Sequence, residues 1–350
     1  MSTAQAPPPG SSAPEPGPEW QVPSQRGPGR WIKALVTLLL YALVFYWTDV
    51  RAIFSRLHAV RLEYVAAGIL LYVAGQALST WKWRLLLAPV GLGAVRYPRL
   101  LAFYFIGMFF NLFLPTMVGG DAVKAVLLAR DTGAPVRATT SVFMERNLGL
   151  FALLSIAVIA SWRAPAVDIM GVTLSTLTLL LFCGFIAANV ALVTRGVYGL
   201  VDRIIAATPL ARMRHRAAPL YDAVYAYRAR PGVIASTVLL SFVFQGVVIA
   251  VVFLNTRALH LDVPFSSIAV FVPLISLASM IPISVNGLGV REALYIFFFG
   301  RLGAPSEVSV SLALLYLAVT FMASLPGGLV YASQRSGRPQ RTAASRASRN

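Results

Sequence analysis

"LLAFYFIGMFFNLFLPTMVGGDAVKA", residues 100–125, is the stretch that decides how the chain is read. An apolar and aromatic run reaches Leu114. It then meets a proline, two adjacent glycines, an aspartate and a lysine. Proline removes a backbone donor and glycine loosens the chain, so a helix entering this stretch is expected to break. A charged group at the centre of a bilayer costs roughly 2.5–3.5 kcal/mol on insertion scales, so charges here need a reason.

The rest of the chain makes a membrane setting the natural one. Of 350 residues, 57% are hydrophobic and only 12% are charged. Soluble domains carry about twice that charged share. Several apolar runs approach the ~20 residues that span a bilayer. The expected fold class is an all-α polytopic membrane protein. It has about six full transmembrane helices, at 31–47, 64–81, 138–160, 169–193, 232–254 and 306–333, plus two broken or re-entrant helical regions at about 97–125 and 265–300. Residues 1–30 read as a Pro/Gly/Ser-rich disordered tail, 31–333 as the transmembrane domain, and 334–350 as a basic tail.

The formal net charge of +17 excludes little by itself. Its distribution argues against nucleic acid, because the basic residues gather in loops and tails between apolar runs. With the N-terminus inside, residues 82–99 carry Lys82, Arg84, Arg96 and Arg99 on the inner side. Arg130, Arg137 and the arginines of 195–231 fall there too. The bias places both termini in the cytoplasm of a multi-pass protein of the cell membrane. Cys183 is the only cysteine, and the histidines are scattered, so neither a disulfide, a metal site nor a cofactor is expected.

The break recurs. Residues 115–124 read PTMVGGDAVK, and residues 282–291 read PISVNGLGVR. Pro115, Val118, Gly120, Val123 and Lys124 align with Pro282, Val285, Gly287, Val290 and Arg291. The charge argument has the two copies entered from opposite sides, which makes them an inverted repeat. Inverted repeats with discontinuous helices are a transporter signature. The backbone of the breaks is then carried by Pro115, Gly119, Gly120, Pro282, Asn286, Gly287 and Gly289, with Asn111 available to satisfy a freed backbone group. A helix resuming after a break also offers free N–H groups to an anion.

Among the charges at membrane depth, Asp121 and Lys124 are three apart and share a face. Lys124 reads equally as a headgroup ligand or as half of a self-neutralising pair. Arg291 is a second headgroup candidate and Arg146 a third. Asp121, Glu145 and Glu292 are candidate counter-ions or proton sites. Arg291 and Glu292 are adjacent, so their side chains are expected to diverge.

"FFNLFLPTMVGGDAVKAVLLAR", "ERNLGL" and "IPISVNGLGVREAL" resemble signature stretches of the lysylphosphatidylglycerol synthase transmembrane-region family. The likeness covers about 31–333. It implies a flippase-like integral membrane protein similar to the membrane part of the multiple peptide resistance factor, where such a region is implied to flip aminoacylated phosphatidylglycerol. Asn286 stands where that family often has glycine, and asparagine tolerates the left-handed geometry of such a turn. No synthase domain is expected in the short stretch after the last span, so aminoacyl transfer is not carried over and no enzyme activity is expected. The expected partner is a membrane lipid, an anionic phospholipid or polyprenyl phosphate, with lipid-biosynthesis enzymes as further candidate partners. Two alternatives stand beside transport. A membrane-embedded lipid-modifying enzyme such as a glycosyltransferase would need an acidic cluster that the loops do not offer. A non-transporting scaffold would have no use for two polar breaks.

Overall fold

The computed structural model describes residues 29–46, 48–114, 119–164, 168–169, 171–193, 224–281 and 283–336. The two predicted tails therefore lie almost wholly outside the described residues, as do Pro115 and Pro282.

The described chain is helical. In order come α1 (Gly29–Tyr46), α2 (Val50–His58), α3 (Leu62–Leu87), α4 (Tyr97–Asn111), α5 (Gly119–Thr132) and α6 (Pro135–Ser161). A two-residue hairpin, β1 (Asp168–Ile169) and β2 (Val172–Thr173), precedes α7 (Leu174–Val193). Then follow α8 (Pro231–Ala258), α9 (Phe265–Ser279), α10 (Val290–Gly300) and α11 (Ser306–Ser336).

Four helices are long and apolar enough to cross a membrane: Leu62–Leu87, Pro135–Ser161, Pro231–Ala258 and Ser306–Gln334. The bent pair Leu35–Tyr46 and Val50–His58, at 84°, is a fifth if counted as one span. Against an expectation of about six full spans, α7 does not reach a full apolar span among the described residues. Its predicted start at 169 is taken by the hairpin, and its apolar stretch among the described residues is Leu174–Val190. Gly171, at φ 82°, makes that turn, and its N–H donates to Asp168 Oδ1 at 2.6 Å.

Two boundaries follow from simple chemistry. α6 and α8 both begin on a proline, where the missing N–H costs nothing because the first turn has no acceptor for it. α3 runs six residues past the predicted end at Trp81, to Leu87. Lys82 and Arg84 therefore sit on a helix and not in a loop, and Lys82 is buried.

Both predicted breaks are present as a pair of short helices packed on one another, α4 against α5 and α9 against α10. Each has its own apolar surroundings. One core cluster joins Trp83, Leu86, Leu100, Phe103, Leu128 and Val142 around the first break. The other joins Val252, Ile268, Phe271, Tyr295, Phe299 and Leu312 around the second.

Candidate functional site

The first break brings α4 and α5 unusually close. A Cβ on Gly107 would lie 2.7 Å from the Gly120 carbonyl oxygen and 2.7 Å from Lys124 Cγ, and one on Gly120 would run into the Gly107 carbonyl. Only glycine at both positions permits this approach, as small residues do at helix crossings in membranes. Asn111 Oδ1 accepts the Gly120 N–H at 3.1 Å. Gly119 and Gly120 are buried at the start of α5.

That approach swings Lys124 into the bundle. Its side chain is 4% exposed. Nζ lies 3.0 Å from Glu145 Oε2 on α6 and 3.1 Å from Asp121 Oδ1 on its own helix. It also sits 4.0 Å from the centroid of the Tyr104 ring on α4, a cation–π contact. Asp121 Oδ2 in turn takes Arg146 Nε at 2.6 Å. The other oxygen of Glu145 has Tyr104 OH at 3.0 Å and Ser79 Oγ at 3.3 Å. Glu145 lies ten residues after Pro135, about 15 Å along α6, roughly half the thickness of a hydrocarbon core. Its side chain is 5% exposed, so it does not escape to the surface.

These groups line a cavity of about 280 Å³. Its charged lining residues are Lys82, Lys124, Arg146, Asp121 and Glu145: three cations against two carboxylates. The rest of the wall is mixed, with Gln76, Gln245 and Tyr316 beside Met108, Leu153 and Phe244. Ser276 and Met280, at the end of α9, close it on the side of the second break.

Lys82, Gln76, Ser79 and Tyr104 were absent from the candidates drawn from sequence. Ending the span at Trp81 put Lys82 in a loop. A helix continued to Leu87 carries a buried stripe through Gly75, Gln76, Ser79, Lys82, Trp83 and Leu86, spaced three and four apart. That spacing was a readable signal. Tyr104 was hidden in an aromatic run.

The second break is built differently. Asn286 has φ 52° and ψ 30°, the left-handed geometry expected of it. Gly287 and Gly289 have φ 71° and 83°. A Cβ at Gly289 would also meet Leu40 Cβ at 2.5 Å. The Val285 N–H donates to Thr37 Oγ1 of α1 at 2.8 Å. Arg291 and Glu292 do not diverge: Arg291 Nη2 lies 2.9 Å from Glu292 Oε1. Glu292 folds back over the helix start, where its Oε2 accepts the Gly289 N–H at 2.6 Å. The long arginine can therefore reach round to the same carboxylate. Neither residue lines the cavity. Of the two aligned basic residues, the cavity is lined by Lys124 and not by Arg291.

The two resumed helices were also expected to present free N–H groups. At each start one such group is taken, by Asn111 at Gly120 and by Glu292 at Gly289.

The family described as the lysylphosphatidylglycerol synthase TM region matches residues 30–327. The chain belongs to that family. It is an integral membrane protein, as the family and the long apolar helices together require. No curated protein matches the chain. The family region takes in both breaks and every residue of the cavity.

Proposed function

We propose that this protein moves an anionic lipid, of the phospholipid or polyprenyl-phosphate kind, from one leaflet of the cell membrane to the other. The observation that carries the reading is the cavity inside the helical bundle, with three cations against two carboxylates. Buried ionisable groups are costly in a membrane and mark pathways for polar substrates. At about 280 Å³ the cavity suits a headgroup and not a whole lipid, whose chains would stay in the bilayer.

Transport rather than chemistry is the better reading of the breaks. Two short-helix pairs, each with its own core, are parts that can shift against one another. In the proposed topology α4 and α5 enter from the cytoplasm, and α9 and α10 from outside, as an inverted repeat with both termini inside. The inner arginines at 96, 99, 130 and 137 and those of 195–231 support this arrangement, even with Lys82 and Arg84 moved onto α3.

The test is reconstitution in liposomes carrying fluorescent phosphatidylglycerol in both leaflets. The protein should expose the inner-leaflet label to an external quencher well above the protein-free rate. A folded protein that exposes no more label than empty liposomes, for phosphatidylglycerol and for a polyprenyl phosphate alike, breaks the proposal.

A further inference from the structure

Three cations line the cavity, and they are not equally engaged. Lys124 has three N–H bonds to offer. Two meet carboxylate oxygens at 3.0 and 3.1 Å, and the ring of Tyr104 lies 4.0 Å away. Arg146 is bound to Asp121 at 2.6 Å and is 43% exposed. Lys82 differs from both. Its side chain is 4% exposed, yet its nearest carboxylate oxygen, Glu145 Oε1, is 3.9 Å away, beyond hydrogen-bond reach. That oxygen already has Tyr104 OH and Ser79 Oγ beside it. The Phe244 ring, 5.5 Å from Lys82 Nζ, closes one side without offering an acceptor. Among the described residues, Lys82 donates no hydrogen bond. Gln76, 3% exposed and one turn before Ser79 on the same helix, has a side-chain amide that likewise makes no hydrogen bond among them.

Both groups line the cavity, so an ammonium and an amide without a hydrogen-bonded protein acceptor face space that a ligand can enter. Of the three cavity cations, Lys82 is the one with no carboxylate oxygen within hydrogen-bond reach. We infer that Lys82, assisted by the Gln76 amide, is the docking point for a phosphate oxyanion, while Lys124 holds the helices together and does not meet the ligand. Its identification with a lipid headgroup rests on the transport reading; the anion site itself does not. A phosphodiester supplies two acceptor oxygens, enough for one ammonium and one amide.

Purified protein in neutral detergent provides the test. Its thermal midpoint is followed while dihexanoyl phosphatidylglycerol, dihexanoylglycerol or inorganic phosphate is added. The phosphatidylglycerol should raise the midpoint and the dihexanoylglycerol, which has no phosphate, should not. In Lys82→Gln the apparent affinity should fall about ten- to a hundredfold, the range for a lost hydrogen bond to a charged group. Lys82→Arg should restore most of it, and Gln76→Leu should weaken it several-fold. If phosphate alone stabilises the protein and Lys82→Gln abolishes this, the anion suffices as ligand. If only the lipid does so, the headgroup together with its chains is the ligand. Either result supports the site. Affinity in Lys82→Gln within about twofold of wild type overturns it, as does equal stabilisation by dihexanoylglycerol. Should Lys82→Gln not fold, unchanged affinity in Gln76→Leu overturns the site in its place. Loss of binding in Lys82→Gln without headgroup movement by wild-type liposomes would sink transport and leave the site. Movement that Lys82→Gln does not alter would do the reverse.

Discussion

At the first break the basic residue of the motif, Lys124, reaches across to α6, and the carboxylate it meets also takes groups from α3 and α4. At the second break its counterpart, Arg291, is bound to the next residue in the chain, and that residue seals the start of its own helix. The same motif thus makes a junction between helices in one place and a closed local clasp in the other. The difference lies in what stands opposite. Gly107 and Gly120 let α4 and α5 close up and push Lys124 into its neighbours. At the second break Gly289 is backed by Leu40, and nothing acidic from another helix is paired with Arg291 among the described residues. Matching residues at two breaks do not imply matching duties.

The largest effect should come from Glu145→Ala. It strips Lys124 of its cross-helix partner and leaves Lys82 without its nearest counter-charge. Uncovering a buried charge in this way costs about 3–5 kcal/mol. Chemical unfolding in detergent measures it, and a loss under about 1 kcal/mol would mean that the junction carries little. Glu292→Ala should cost somewhat less, about 3 kcal/mol, since it uncovers one arginine and one backbone N–H. The clasp being local, its loss should leave anion binding in the cavity unchanged. A binding defect equal to that of Lys82→Gln would merge the two breaks into one site.

Gly289→Ala comes next, at about 2 kcal/mol, from the left-handed φ together with the contact to Leu40. Normal stability in this variant would show that the second break is not held as described. The smallest effect belongs to Asn286. Asn286→Gly should be neutral within about 0.5 kcal/mol, and Asn286→Ala should cost about 1 kcal/mol, because alanine is poorer at φ 52°. Equal stability of the two variants would remove the left-handed requirement.

Much of the first break was legible because its chemistry is local. Asn111, Gly119 and Gly120 declare a loosened helix by residue type, and Asp121 and Lys124 declare a pair by their spacing. Lys82 was not legible in the same way. A charge after an apolar run looks like the end of a span, but backbone hydrogen bonds carry α3 on to Leu87, where neighbouring helices cover the lysine. Arg291 and Glu292 misled for a related reason. Helical geometry separates the Cβ atoms of adjacent residues, yet a long arginine and a glutamate bent back to Gly289 close that gap.

By itself the sequence determined the membrane setting, the two breaks and the family. Composition and short-range backbone chemistry decide those matters, and both are written in consecutive residues. Only the tertiary structure decided which cation is saturated and which is not. Lys82, Tyr104, Lys124 and Glu145 come from four different helices. Hydrogen bonding is gained or lost over about 1 Å, as the 3.0 and 3.9 Å separations of Lys124 and Lys82 from Glu145 show. Packing of helices distant in the chain sets such distances, and no spacing in the sequence encodes them.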